Sequence, residues 1–179
     1  MYKLDNNTTV LQYMIRLIRC YDAGAKIVIV TGHIHHQIEN QIEDAVFVFN
    51  PFYAVTNSIA SLWFAREYIR DENVTILNSD IVVSKALMEE IITKPTSKPY
   101  VLLDSSIRTE GDYNVQVSGE KVLVMSKDLK TYYGEYAGVT KLDGVSARLL
   151  DQEVCEMVEQ GAYDQWYENA LVQMIFKSD

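Results

Sequence analysis

The sequence contains few cysteines, no long apolar run and no excess of positive charge, and each of these absences narrows the class of protein. Its two cysteines, Cys20 and Cys155, lie far apart and form no Cys-x-x-Cys pair. We therefore predict that both are reduced and buried in a cytoplasmic protein. No apolar run reaches the length of a membrane-spanning helix, which predicts a soluble protein without a membrane partner. The formal net charge of −9 argues against nonspecific binding to nucleic acid or to anionic membranes.

The composition is that of a globular chain with a core. Of its 179 residues, 48% are hydrophobic and 23% are charged, which does not favour disorder and allows one domain to bury a core. The sequence has no internal repeat, linker or low-complexity segment. We predict a single domain over residues 1–179.

The first half of the chain alternates between helical and strand-like patterns. Helical spacing of apolar residues predicts helices over residues 9–18, 35–42 and 57–69, with Thr8 or Thr9 as the first N-cap. Apolar and β-branched runs predict strands over residues 26–30, 45–49 and 74–77, with a break at Asp71–Asn73 before the last of these. This alternation predicts an α/β fold of three layers, with a mostly parallel, Rossmann-like sheet covered by helices on both faces.

The second half is richer in strands. Ser84 is the predicted N-cap of a helix that continues to Ile92. Short strands are predicted over residues 100–103, 113–117 and 121–125, and an extended segment over residues 132–142. Ser118-Gly119-Glu120 predicts a hairpin turn between two of these strands. Helices over residues 145–159 and 164–176 end the chain, so the sequence predicts an α/β domain with a small β-rich insertion.

Asp80 follows the predicted strand of residues 74–77. Open α/β sheets bind their ligands beyond the carboxyl ends of the strands. A carboxylate at that position can hold a divalent metal ion between phosphates. An ordinary polar strand end is the alternative interpretation.

Four motifs in order resemble nucleotidyltransferases of the nucleoside-triphosphate transferase superfamily, in particular the choline-phosphate cytidylyltransferase and sugar-1-phosphate nucleotidyltransferase branch. They are FNPFYAVTNSIASLWFA, ILNSDIV, GDYNVQVSGEKVLVMSKDLKTYYGEYAGVTKL and YDQWYENAL. The resemblance implies transfer of a nucleotidyl group from a nucleoside triphosphate to a phosphorylated small molecule, with Mg²⁺ as cofactor and pyrophosphate as product.

The resemblance also implies roles for individual residues. Asp80 matches the metal-binding aspartate, and Lys127 matches a catalytic lysine that reaches the phosphates. Asn57 and Ser61 match the region that lines the nucleotide pocket. Glu135 and Gly138 match a segment that shapes the acceptor side of the pocket.

Trp166 and Glu168, with Tyr167 between them, could form an aromatic, anionic pocket for a quaternary ammonium such as that of phosphocholine. The alternative is that this segment packs the last helix on the core.

Two family elements have no counterpart in the sequence. One is an opening strand with a glycine-rich loop of the type AAGxGxR, and the other is a C-terminal segment with a second metal-binding aspartate. We therefore expect a domain that is incomplete at both ends. Because the missing strand would lie inside the sheet, we also expect a homo-oligomer or a partner chain that completes the sheet.

His33, His35 and His36 form an HxHH cluster after the strand of residues 26–30. A metal site is one interpretation of this cluster, and a solvated helix start is the favoured alternative.

Three functional hypotheses follow. The first is a nucleotidyltransferase that makes an activated phosphocholine or sugar nucleotide for surface polysaccharide. The second is a catalytically degenerate domain that binds nucleotide or a partner. The third is a nucleotide-sugar glycosyltransferase, which Asn78-Ser79-Asp80 disfavours because it replaces the expected DxD pair.

Overall fold

The computed structural model describes residues 3–4, 7–70, 73–106 and 113–177. Its helices are α1 Val10–Tyr21, α2 His35–Glu39, α3 Ser58–Phe64, α4 Arg66–Ile69, α5 Lys85–Leu87, the π-helix Met88–Ile92, α6 Gly144–Glu159 and α7 Glu168–Lys177. Its strands are β1 Val28–Thr31, β2 Val46–Phe49, β3 Asn73–Leu77, β4 Tyr100–Asp104, β5 Asn114–Ser118, β6 Lys121–Ser126 and β7 Gly134–Asp143. The predicted order of elements is confirmed. Of the predicted break at Asp71–Asn73, only Asn73 lies within the described residues.

Side-chain caps begin the helices where the sequence predicts them. The Gln12 amide donates to Thr9 Oγ1 at 3.2 Å, and the Thr9 amide donates to Gln12 Oε1 at 3.0 Å, which completes a capping box. The Leu87 amide donates to Ser84 Oγ at 3.1 Å. These bonds satisfy amides that have no partner within the helix.

Two predicted helices are less regular than their sequence patterns indicate. The helix predicted over residues 57–69 is interrupted at Ala65, which separates α3 from α4. There the Arg66 guanidinium donates to the Trp63 carbonyl at 3.1 Å and lies 4.0 Å from the centre of the Trp63 ring. The helix that Ser84 caps changes after one turn into the π-helix. Apolar periodicity does not predict either change, because both depend on which backbone carbonyl each amide bonds to within the helix.

Strand β7 organises the larger sheet. It pairs antiparallel with β3, β4 and β5, and β5 also pairs antiparallel with β6. Because β3 and β4 both pair with Lys141, they lie on opposite edges of β7. Strands β1 and β2 form a separate parallel pair.

The α/β class is confirmed, and the sheet pairing differs from the mostly parallel order that the sequence predicts. Strands β3 and β4 run in the same direction but do not pair, because β7 lies between them. The local α-then-β alternation predicts the direction of the early strands. It does not show that a later strand returns between them.

Two apolar clusters cover opposite faces of β7. One cluster places Ile59 of α3 with Leu150 and Val154 of α6, under helices α3, α6 and α7. The other places Met14 and Leu17 of α1 with the π-helix. Helices therefore cover both faces, as a three-layer arrangement requires.

The β1–β2 pair and the larger antiparallel sheet each contain a strand with one unpaired side. Within the described ranges, β1 pairs only with β2, and β3 pairs only with β7. Strands β1 and β3 therefore each have one side without a paired strand in the described part of the chain, and the completion of the sheet by another strand stays a prediction.

The cysteine prediction is half correct. Both thiols are free, but Cys20 is exposed and Cys155 is partly exposed. Cys20 lies in the last turn of α1, away from the buried face of that helix. Among the described residues, no helix combines the length and the apolar character needed to cross a membrane.

Candidate functional site

The turn after β3 presents Asp80 at the end of the strand, where the sequence places it. Asp80 is exposed. The Asn78 amide donates to the Gly138 carbonyl at 2.9 Å, which anchors this turn on β7. The predicted position beyond a strand end is confirmed, and the metal-binding role stays a prediction.

Gly138 fits the turn because it has no side chain. Its φ is +74°, and a Cβ at this position would lie 2.9 Å from Ile81 Cγ2 and 3.1 Å from Asn78 Cβ. Side chains adopt such a backbone conformation only with strain. Gly138 thus packs against the turn that carries Asp80. The sequence motifs assign Gly138 to the acceptor side of the pocket and Asp80 to the metal.

A cavity of about 270 Å³ adjoins this turn on the side of α1 and the π-helix. Its lining is almost wholly apolar and consists of Ile81, Val82, Val83, Ser84, Leu87, Leu102, Leu103, Ala137 and Val139. The Ser84 hydroxyl, its one polar side chain, already accepts the Leu87 amide. The sequence analysis missed this cavity, although the apolar run directly after Asp80 is a signal for it.

Glu135 and Asp104 form an acidic pair beside the cavity. They are directly opposite each other in the pairing of β7 with β4, so their side chains project from the same face. Leu102 and Ala137, each two residues away on its strand, line the cavity, and the pairing of the two strands shifts its register between Val101 and Leu103. The Ser106 amide and hydroxyl donate to Asp104 and hold the pKa of its carboxyl below its usual range.

Asn57 and Ser61 hold the start of α3. The Ser58 amide donates to Asn57 Oδ1 at 2.8 Å, and Asn57 itself is exposed. Ser61 Oγ accepts Asn50 Nδ2 at 3.3 Å. Their hydrogen bonds therefore cap a helix and fix a loop, while their predicted contact with nucleotide stays a prediction.

Asn50 is a residue that the sequence analysis did not single out. It is 1% exposed, and its amide group also donates to Thr56 Oγ1 at 3.2 Å and accepts the Phe52 amide at 2.9 Å. It thus organises the loop between β2 and α3. An asparagine followed by proline at a strand end is the signal that could have revealed it.

Lys127 and Trp166 lie together on another part of the surface. The Lys127 ammonium is 3.8 Å from the centre of the Trp166 ring and 5.7 Å from that of Tyr113. Beside them is an open cleft of about 530 Å³, which Lys127 and Tyr113 line together with residues of β6 and α7. The ring face predicted to receive a quaternary ammonium carries the ammonium of Lys127 instead.

Glu168 and Tyr167 lie inside the protein. Glu168 is 2% exposed and Tyr167 is 3% exposed. The Tyr136 hydroxyl contacts the hydroxyls of Tyr167 and Thr140, and it lies 2.7 Å from Thr140 Oγ1. Burial, with the nearby Glu168 charge, raises the pKa of Tyr136 to about 12. These positions favour the core-packing interpretation of this segment.

No protein-family model matches the chain, and no curated protein matches it significantly. Solved structures do match. A CTP:phosphocholine cytidylyltransferase from Streptococcus pneumoniae is 18% identical with a TM-score of 0.72, over 97% of this chain and 74% of that one. An inositol-1-phosphate CTP transferase from T. maritima is 11% identical with a TM-score of 0.73, over 98% and 71% of the two chains.

A UDP-glucose pyrophosphorylase solved with UDP-glucose is 11% identical, with a TM-score of 0.70, over 96% of this chain and 76% of that one. At these identities the likeness concerns the fold. The chain shares its fold with these nucleotidyltransferase structures, so the resemblance seen in the sequence motifs is confirmed at the level of the fold.

Proposed function

We propose that this chain is a nucleotidyltransferase domain that acts on a nucleoside triphosphate and a small phosphorylated acceptor. The carrying observation is that Gly138 of β7 packs against Asn78 and Ile81 in the turn that carries Asp80, beside a partly open, largely apolar cavity. The fold shared with cytidylyltransferases and a pyrophosphorylase supports the proposal. In the reaction, an acceptor phosphate oxygen attacks the α-phosphorus, and the bond from that phosphorus to pyrophosphate breaks.

The donor set at this position fits Mg²⁺ bound together with nucleotide. Mg²⁺ in such sites uses one or two protein carboxylates plus substrate phosphates, and the exposed Asp80 offers one carboxylate at the strand end. When bound, the ion would neutralise charge on the phosphates. Asp80 would hold the ion, and Gly138 lets the turn that carries Asp80 pack against β7.

The resemblance assigns Lys127 to the phosphates as well, although the structure places this residue on another part of the surface from the Asp80 turn. In this structure its ammonium lies on Trp166. Contact with phosphate would require the side chain to leave the ring, at a cost on the order of 0.5–1 kcal/mol for an exposed cation–π contact. This cost is small compared with what a charge-assisted hydrogen bond to phosphate contributes.

The acceptor that the cavity fits best is a small phosphorylated amino alcohol such as phosphocholine. Ser84 is the one polar side chain in its lining that could bind the hydroxyls of a sugar, and buried hydroxyls without partners are costly. The Asp104–Glu135 pair lies on the same two strands as Leu102 and Ala137 and favours a cation. The acidic, apolar environment therefore favours a cationic acceptor over a sugar 1-phosphate.

A partner chain is proposed to complete the sheet between β1 and β3. Helix α3 packs on β1 and α6 packs on β3, while α1 contacts the π-helix on the other side. A strand covered on both faces needs a nearly continuous apolar run, and the apolar runs of the described chain are already used in its own strands. A strand at this position would come from outside the described residues, and we propose that a partner chain supplies it.

Light scattering on the purified chain tests this assignment of the partner. We expect a monomer, because a second copy has no spare apolar strand to donate. A stable dimer that exchanges a strand would show instead that a second copy fills the gap.

Calorimetric titration with CTP, UTP, GTP and ATP, each with Mg²⁺, tests the function itself. We expect one nucleotide to bind with micromolar affinity, about −8 kcal/mol, and Asp80→Asn to abolish the Mg²⁺ dependence. Asp164→Asn is the matched control, because Asp164 is also exposed but lies in the loop before α7. Absence of binding by all four nucleotides would refute the proposal for the isolated chain.

Pyrophosphate release with phosphocholine or a sugar 1-phosphate then separates turnover from binding. Release with phosphocholine alone supports the cationic acceptor. Nucleotide binding without release from any acceptor would favour the degenerate, binding-only domain.

A further inference from the structure

Three potential metal ligands converge on helix α2, and none of them belongs to the Asp80 turn. The Nδ1 atom of His35 lies 3.2 Å from Glu39 Oε1, and the Nδ1 atom of His36 lies 3.6 Å from Glu39 Oε2. One ligand atom from each of the three residues lies within 4.8 Å of the other two. In the described part of the chain, this is the one group of three such side chains.

The cluster differs from the HxHH motif of the sequence. His33 lies apart, with its ring centre 6.0 Å from that of Tyr53. Glu39 takes its place, because residues three and four positions apart on a helix share a face. The sequence motif therefore contains two of the three ligands.

Contacts outside the helix hold the cluster in place. The His35 ring lies between His36, at 3.7 Å between ring centres, and Phe49 at the end of β2, at 4.3 Å. Ile34 enters the helix with φ +53°, a left-handed conformation that turns the chain sharply after β1. The two imidazoles are thus oriented by β2 and by the turn as well as by a helix of five residues.

We propose that His35, His36 and Glu39 bind a zinc ion. Zn²⁺ takes imidazole nitrogen at about 2.0–2.1 Å and carboxylate oxygen at about 2.0–2.2 Å, so its tetrahedral ligands lie roughly 3.4 Å apart. The observed nitrogen–oxygen distances of 3.2 Å and 3.6 Å fall on either side of this value. These two distances involve different oxygens of the Glu39 carboxylate, and the three ligand atoms lie within 4.8 Å of one another, so binding the ion requires the side chains to move closer together.

The chemistry of the ligands and their exposure define the kind of site. Two imidazoles and a carboxylate suit zinc, whereas Mg²⁺ prefers oxygen ligands. The His36 side chain is 80% exposed, while those of His35 and Glu39 are 26% and 31% exposed. The exposed side of the cluster leaves the fourth coordination position of the zinc ion to water. This site is separate from the Asp80 turn and does not depend on the proposed nucleotidyl transfer.

Isothermal titration calorimetry of the full, tag-free chain with zinc chloride tests the site. We expect saturable binding of one equivalent. His36→Ala and Glu39→Gln should each weaken it about tenfold or more, because each removes a ligand. His33→Ala is the matched control, since it removes a neighbouring histidine outside the cluster and should leave the affinity unchanged.

A second readout separates lost binding from lost folding. Saturating zinc should raise the melting temperature of the unmodified chain by mass action, and should not raise that of the His36→Ala, Glu39→Gln double variant. Circular dichroism without zinc should be the same for both. Equal zinc affinity in the double variant, or an equal loss in His33→Ala, would overturn the assignment.

Discussion

The ammonium of Lys127 lies 3.8 Å from the centre of the Trp166 ring. This contact joins two residues that the sequence assigns to different substrates, the lysine to phosphate and the tryptophan to a quaternary ammonium. It also connects the end of β6 with the segment before α7. The arrangement makes the stability of this surface depend on the lysine charge.

Lys127→Met should lower the free energy of unfolding by about 0.5–1 kcal/mol, because it removes the cation and keeps the length of the side chain. Urea denaturation measures the change. Lys130→Met, at another exposed lysine of the same turn region, is the control and should change stability less. Equal effects of the two substitutions would show that the cation–π contact contributes nothing.

Gly138→Ala should destabilise the protein and displace the Asp80 turn. The added Cβ would lie 2.9 Å from Ile81 Cγ2, and the backbone at φ +74° would strain any side chain. Gly119→Ala is the matched control, because Gly119 has φ +62° with no atom within 4 Å of an added Cβ. The left-handed strain of about 1–2 kcal/mol is common to both substitutions. The additional loss of unfolding free energy in Gly138→Ala therefore measures the close packing of the turn.

The open strand edges predict a pattern of amide hydrogen exchange. The Ile27 and Thr31 carbonyls accept bonds from β2, so by alternation the Val28 and Val30 amides point away from it. In β3, the Asn78 amide donates to the Gly138 carbonyl of β7. Because alternate amides of a strand point to the same side, the Ile76 amide also points towards β7, and the Thr75 and Leu77 amides point away from it.

These four outward amides should exchange faster than those of Ile29 and Ile76, which face a paired strand. Exchange followed by NMR on the isolated chain measures the difference. Slow exchange at all six positions would show that the gap is already closed, and the proposal of a partner strand would then fail. Addition of the true partner should protect the four outward amides selectively.

Tyr136 predicts a loss of stability in alkaline solution. Burial raises the pKa of its hydroxyl to about 12, whereas a tyrosine in the unfolded chain ionises near pH 10. Between these values the folded state holds more protons than the unfolded state, so stability falls as the pH rises, by up to about 1.4 kcal/mol per pH unit for this group.

Tyr136→Phe should therefore be less stable than the unmodified chain at pH 9 and approach it as the pH increases towards 11.5. Urea denaturation at several pH values measures the difference. Tyr133→Phe, at a side chain 54% exposed, serves as the control and should run parallel to the unmodified chain. A constant difference for Tyr136→Phe across this range would contradict the buried, protonated hydroxyl.

Local patterns in the sequence determine much of this protein. The order of helices and strands, the capping box at Thr9, the N-cap at Ser84 and the Asp80 position after β3 all follow from periodicity and from short-range hydrogen bonding. The hairpin turn at Gly119, with φ +62°, follows in the same way. These features involve residues within a few positions of one another, so a single chain segment contains the information.

Only the tertiary structure decides which distant segments meet. It inserts β7 between β3 and β4, places Lys127 on Trp166, and buries Glu168 behind the tyrosine hydroxyls. It also removes His33 from the histidine cluster and adds Glu39. Many pairings satisfy the same local pattern, and the choice among them depends on how the whole chain buries its apolar surface.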